Sequence, residues 1–378
     1  MDTKKFRTRQ ENKHIQNPKA KDYVVGLDIG YSATKVFYEG GYFVFPSFAK
    51  KLESSMLNIQ NDLDILYRDE ETGEMYMVGY VAQEMTESTD TNDTDGELFS
   101  RKRYGDKRFK IISNTACAMA LNGKTDERKT VIQTGLPSSY VVGDSPALKK
   151  AISKPAVFSL KTGGGKWTKF ELQVDMDDVF VMPQPSGALY SVLIRNDGSY
   201  VGDAKQILSS NVLVIDIGFG TFDFYGIKNR AVVCKDSVDE IGMREVLQKT
   251  SKRIFTEMNE DIKVAALQKN LADGYVICVD EENMKTTKQP IAPLLEASSK
   301  EVMKEAMNRA KSITDTFRGY EYIIVDGGTG EAWYEDIKQW LSGMETLRVM
   351  PSNFNDRLPM IYSNARGYYM YRYMLNRR

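Results

Sequence analysis

Two short segments of this chain carry the residue types needed to hold a polyphosphate together with its metal ion. Leu27-Asp-Ile-Gly-Tyr-Ser-Ala-Thr-Lys35 aligns without a gap on Ile215-Asp-Ile-Gly-Phe-Gly-Thr-Phe-Asp223. Asp28 matches Asp216, Gly30 matches Gly218, and an aromatic residue, Tyr31 or Phe219, follows each glycine. A tight turn of glycine and small residues points successive backbone N–H groups into one concavity, where an anion can sit. Gly30, Tyr31 and Ser32 form one such turn, and Gly218, Phe219, Gly220 and Thr221 the other. The carboxylate at the end of each strand would repel phosphate directly. The natural partner of Asp28 and Asp216 is therefore Mg2+, which keeps most of its waters and sits between carboxylates and phosphates. Lys35 follows on the second strand of its hairpin, from which it can reach back to a phosphate as a point charge.

A single Asp-x-Gly turn reads as an ordinary β-hairpin. Its recurrence 188 positions later, from Asp28 to Asp216, points instead to an internal duplication. Two similar domains would then face each other and clamp one polyphosphate from both sides. A third motif, Ile323-Ile-Val-Asp-Gly-Gly-Thr-Gly330, puts Gly327, Gly328, Thr329 and Gly330 directly after a strand. There a flat base or a ribose can approach the backbone closely. Other phosphate-binding patterns fail. Gly123-Lys-Thr125 ends like a P-loop but has Ala118 where the first glycine belongs, and Gly165-Lys166 runs into Trp167.

Composition narrows the chemistry further. His14 is the only histidine, so a histidine base, a Ser-His-Asp triad and a His-ligated metal are excluded. Cys117, Cys234 and Cys278 form no CxxC pair and read as small hydrophobes in a reduced cytoplasm. Lys and Arg total 51 against 52 Asp and Glu, so no global basic field exists for direct DNA binding. No apolar run reaches the length of a membrane span, and no signal peptide is recognisable, so a cytoplasmic location is expected.

The elements that must position these residues can be read from pattern. Strands are expected at 23–28 and 34–38, at 131–133, as two or three strands over 156–181, and at 212–216, 221–227 and 322–325. Helices are expected near 109–121, 186–194, 240–259 and 293–317, and an acidic, Thr-rich loop over 84–96. Residues 1–22 carry seven Lys/Arg, three Asp/Glu and almost no apolar residue, and read as a disordered basic tail.

Three such motifs, in this order and at these distances, resemble the actin / sugar-kinase / DnaK ATPase superfamily. Within it the details are most similar to the plasmid-segregation actins, the ParM group. These details are Thr134-Gly-Leu-Pro137, Val181-Met-Pro-Gln184 ahead of a helix with Gly187 and Ala188, and the closing Asn364-Ala-Arg-Gly-Tyr368. The resemblance implies an α/β fold, actin-like and duplicated, with a nucleotide cleft between domains. Domain I would span 23–195, with 364–378 returning to it, and domain II 196–363. ATP, or GTP, would lie in the cleft with Mg2+ near Asp28 and Asp216. Gln184 falls where the superfamily's actins orient the attacking water, and Asp223 would assist a metal-bound or hydrolytic water. The expected behaviour is nucleotide hydrolysis coupled to head-to-tail filaments. The expected job is plasmid segregation through a small DNA-binding adaptor. A cell-shape or division actin is the alternative, as is a sugar kinase, which would need a carboxylate base where Gln184 stands. About 48 residues follow Gly330, so a chaperone's substrate-binding domain is not expected here.

Overall fold

The computed structural model describes residues 2–53, 61–85 and 101–377; residues 86–96 of the expected acidic loop lie outside them. Two sheets carry the two Asp-x-Gly units. The first runs Glu11–His14, Gly41–Pro46, Ala33–Tyr38, Tyr23–Ile29, Thr130–Leu136, Val179–Pro183. The second runs Ala231–Asp239, Thr221–Lys228, Val212–Ile217, Tyr322–Asp326, Arg348–Pro351. In each, the Asp-bearing strand pairs antiparallel with its hairpin partner on one side and parallel with a later strand on the other. The register also repeats, with Asp28 opposite Lys35 and Asp216 opposite Asp223. The duplication seen in nine residues of sequence is thus a duplication of topology.

The central strands read as continuous apolar runs because both faces are covered. Tyr23–Ile29, Val212–Ile217 and Tyr322–Asp326 are buried along their whole lengths. One core gathers the first sheet, the Lys107–Leu121 helix and a further sheet that includes Ile65–Asp69 and Ala156–Thr162. A second core packs the second sheet against the Met243–Met258 and Ala292–Ile313 helices. A third is shared by the two halves and includes Val24, Phe37, Val192, Val214, Ile324 and Tyr369.

Two helices, Gln184–Leu193 and Ser363–Asn376, cross beneath the sheets at paired glycines. A Cβ on Gly367 would lie 1.8 Å from the Gly187 carbonyl oxygen, and one on Gly187 would lie 2.5 Å from the Tyr368 ring. The backbones touch there because neither position carries a side chain. The Ser363–Asn376 helix also lies on the first sheet, where a Cβ on Gly26 would meet the Ala365 carbonyl oxygen.

The N-terminal segment differs from expectation. Residues 2–22 are ordered along the body. Thr3–Phe6 forms a 3-10 turn, Phe6 is buried in the second core, and Glu11–His14 pairs with Gly41–Val44 at the edge of the first sheet. One aromatic side chain and four residues of ladder supply what the polar composition hides. The long helix expected to reach Phe317 ends at Ile313, because Asp315, Thr316 and Phe317 take left-handed backbone conformations. The helix expected from residue 186 begins two residues earlier, so Gln184 is its first residue. The Val264–Asp273 helix and the Tyr275–Asp280/Lys285–Pro290 hairpin have no counterpart in the sequence reading. Among the described residues, no helix is long and apolar enough to cross a membrane.

Candidate functional site

A cavity of about 350 Å³ lies between the two sheets, within the range of small-molecule sites. Asp28, Gly30, Tyr31, Ser32, Lys35 and Gln184 line it from the first half. Asp216, Gly218, Phe219, Thr221, Gly327, Gly328 and Thr329 line it from the second. The fold therefore brings both Asp-x-Gly turns and the glycine motif to one place. Of the residues expected at the site, Gly220, Asp223 and Gly330 stand back from the lining. Gly220 lies under the Tyr31 ring, and Gly330 is inside the helix that starts at Gly328, against Val325.

The cavity floor is acidic. Asp28 accepts hydrogen bonds from Lys35 Nζ on one oxygen and from Gln184 Nε2 on the other, each at 2.9 Å. Asp216 accepts from Asn364 Nδ2 at 2.7 Å. Asp326 stands beside Asp216 in parallel register. One of its oxygens accepts from Ser352, and the other is buried with no partner among the described residues. Burial pushes the Asp216 carboxyl well above the ordinary carboxylate range, and neighbouring Asp326 and Asp223 push it further. Burial lifts Asp326 to about 7, with the Ser352 hydrogen bond working against it. Buried carboxyls in this arrangement favour a bound cation. Among the described residues, no three His, Cys, Asp or Glu side chains are grouped to hold a metal directly. The orphaned Asp326 oxygen and the hard carboxylate donors fit Mg2+ held through its waters, the form in which Mg2+ is usually bound.

Gln184 is the first residue of its helix, and its side-chain nitrogen is tied to Asp28. The tie fixes the direction of the amide and leaves Oε1 as the end that can accept from a water. Asp223 is placed differently from expectation. One oxygen accepts from the Ser138 amide at 3.0 Å and from Ser237 Oγ, the other from Thr221 Oγ1 at 2.8 Å. Burial lifts its carboxyl to about 6, opposed by those three hydrogen bonds. Ser138 directly follows Thr134-Gly-Leu-Pro137 in the first half, so Asp223 ties the halves together. Its oxygens are occupied by protein donors, and a role in holding a hydrolytic water does not fit this geometry.

The glycine motif is fastened to the second turn. Gly327 has φ +87°, and a Cβ there would lie 2.2 Å from the Ile217 carbonyl oxygen and 2.6 Å from Asp216 Oδ1. Only glycine tolerates both the conformation and the approach. Thr329 Oγ1 donates to the Gly218 carbonyl at 2.7 Å. Several lining residues are not among those the sequence pointed to, and three of them carry polar or charged groups near the two turns. Asp326 opens the glycine motif itself, Asn364 opens the closing Asn-Ala-Arg-Gly segment, and Arg103 belongs to the basic stretch before the Lys107–Leu121 helix. Arg103 donates to the Ile29 carbonyl at 2.7 Å and lies 4.3 Å from the Tyr31 ring centroid, so it brings a cation to the first turn.

Comparison with known proteins bears on the fold. Residues 26–187 match the family model for the N-terminal domain of actin-like proteins. No curated protein matches the chain. Among solved structures it is similar to a subunit of the 15-stranded ParM filament from Clostridium botulinum. That match has 18% identity and a TM-score of 0.69, over 93% of this chain and 98% of the other. It is also similar to the actin-like protein Alp7A, with 17% identity and a TM-score of 0.61 over 93% and 95% of the two chains. A third match is Ta0583, an archaeal actin homologue solved with ADP, with 20% identity and a TM-score of 0.58 over 92% and 97%.

Proposed function

We propose, from the match of residues 26–187 to the actin-like N-terminal domain and from the fold shared along the chain, that the protein is an actin-like nucleotide triphosphatase that assembles into dynamic filaments. ATP, or GTP, is the substrate and Mg2+ the cofactor. The observation that carries this reading is the pair of Asp-x-Gly turns facing one cavity, with Gln184 held by Asp28 at its floor.

In this reading the turns at 30–32 and 218–221 offer backbone N–H groups to the phosphates, and Lys35 adds a point charge. Gly327, Gly328 and Thr329 receive the nucleoside. Asp28 and Asp216, joined by Asp326, hold Mg2+ through its waters. Bound there, the ion would supply charge neutralisation at the phosphates. Gln184 is a poor base, so it acts by orienting a water for in-line attack. A sugar kinase would need a carboxylate there to take a proton from a hydroxyl acceptor, and the amide of Gln184 cannot do so.

Polymerisation follows if nucleotide binds the closed cleft better than the open one. A head-to-tail interface that does not close into a ring then grows into a filament. The resemblance to the plasmid-segregation actins favours DNA partition in the cytoplasm through an adaptor over a cell-shape role. Phosphate release from Mg·ATP and Mg·GTP, measured with and without candidate sugars, tests the reaction. Transfer to a sugar in place of water would replace the filament reading with the kinase one.

A further inference from the structure

The N-terminal segment crosses the nucleotide cavity from one half of the molecule to the other. On the second half, Phe6 is buried in the core and Thr3 Oγ1 donates to the Leu271 carbonyl at 2.8 Å. On the first half, Glu11–His14 extends the sheet, and Asn17 Nδ2 donates to the Tyr38 carbonyl at 2.6 Å. Gln10 Nε2 donates to the Leu63 carbonyl, and Gln10 Oε1 accepts from the Tyr80 amide, each at 2.7 Å. Arg7, Thr8 and Arg9, between these anchors, line the cavity, as does Lys5 beside Phe6. The Arg7 guanidinium is 4.3 Å from the Tyr80 ring centroid, which holds it at the cavity wall. Close by, Gln83 Nε2 on the Tyr80–Glu84 helix donates to Gln268 Oε1 on the Val264–Asp273 helix at 3.1 Å. The halves therefore also meet directly at this end of the cleft.

We propose that residues 3–14 form a strap over the nucleotide cleft, in which Arg7 and Arg9 bind the nucleotide and the Phe6 anchor slows its release. The proposal rests on the reading of the cavity as a nucleotide site. Its logic is linkage. A segment fixed to both halves favours the closed state, and cations facing an anionic ligand add contacts made only in that state. Opening must free one anchor. The Phe6 end, with one aromatic side chain and one hydroxyl contact, is weaker than the four-residue ladder at Glu11–His14. The strap thereby couples nucleotide exchange to a local event at the N-terminus.

Release of a fluorescent ATP analogue from the full-length protein, chased with excess ATP in a stopped-flow instrument, tests this. The Arg7→Ala/Arg9→Ala variant should release nucleotide about tenfold faster or more, the scale of losing charge-assisted contacts. Phe6→Ala should accelerate release similarly, and Phe6→Leu should restore much of the slow rate. Lys13→Ala, on the exposed ladder outside the cavity, should stay within about twofold of wild type. If Phe6→Ala fails to fold, the double arginine variant alone decides, since neither arginine is part of a buried core. Wild-type release rates from the double arginine variant would overturn the strap while leaving the nucleotide site standing. Failure of the wild-type protein to bind any nucleotide would overturn both.

Discussion

Gln184 Nε2 donates to Asp28 Oδ1 at 2.9 Å, tying the first turn of the helix at 184–193 to the strand that leads into the first Asp-x-Gly turn. The amide is thereby aimed before any nucleotide arrives. Gln184→Ala should slow hydrolysis about a hundredfold, the scale of removing one preorganised partner of the transition state. Nucleotide affinity should change little, because the residue acts on the water. Phosphate release and fluorescent-nucleotide binding, measured side by side, check this. Equal loss of both would show that Gln184 serves only to position Asp28.

The buried carboxyls predict an unusual pH dependence. Asp223 is lifted to about 6 and Asp326 to about 7, while in the unfolded chain an aspartate loses its proton near pH 4. Between those values the folded protein holds protons that the unfolded chain has released. The stability contributed by these groups is full below about pH 4 and is lost as pH rises through 6 and 7. The metal-free, nucleotide-free protein should therefore melt at a lower temperature at about pH 8 than at about pH 5.5. Asp326→Asn should flatten the difference, and Mg·ATP should remove much of it by replacing protons with a cation. A melting temperature that rises over that interval would contradict the assignment.

Asp223 distinguishes a tie between the halves from a catalytic group. Asp223→Ala leaves the Ser138 amide, Thr221 Oγ1 and Ser237 Oγ without their acceptor, and should cost about 2–4 kcal/mol in urea unfolding. Asp223→Asn keeps the shape and should retain turnover within about tenfold, since the residue does not line the cavity. A loss on the order of a thousandfold in folded Asp223→Asn would restore the catalytic role.

The helix crossing at Gly187 and Gly367 leaves no space for a methyl group. Gly367→Ala would place Cβ 1.8 Å from the Gly187 carbonyl, so the helices must separate. Overpacking of this kind costs about 1–3 kcal/mol, and here the obstacle is backbone, which puts it at the upper end. Chemical denaturation measures it. An unchanged midpoint would mean that the two helices do not cross in contact.

Much of the site could be read in the sequence because its chemistry is local. Each Asp-x-Gly turn is written in a few consecutive residues, and two copies reveal each other. Gln184 was placed by its neighbours Val181-Met-Pro and by the resemblance they support. Asp326, Asn364 and Arg103 are not legible in the sequence for a different reason. Each reaches the cavity only through tertiary placement, Asp326 by register beside Asp216 and Asn364 by a helix returning from the far end of the chain. The N-terminal segment reads as a disordered tail because averaged polarity conceals Phe6, whose partners in the core are more than 200 positions away. The hairpin at 275–290 is largely exposed and polar on its second strand, so it lacks the hydrophobic alternation that marks a strand.

Polymerisation itself is the most direct test of the proposed function. Purified protein with Mg·ATP should show a critical concentration in a sedimentation series, with nothing pelleting below it and all excess protein pelleting above it. With ADP the threshold should be higher, because the terminal phosphate's contacts to the turns at 30–32 and 218–221 are missing and the closed cleft is favoured less. A protein that stays in the supernatant with ATP and with GTP, at high concentration and across salt and magnesium, would contradict the filament reading even if nucleotide binds.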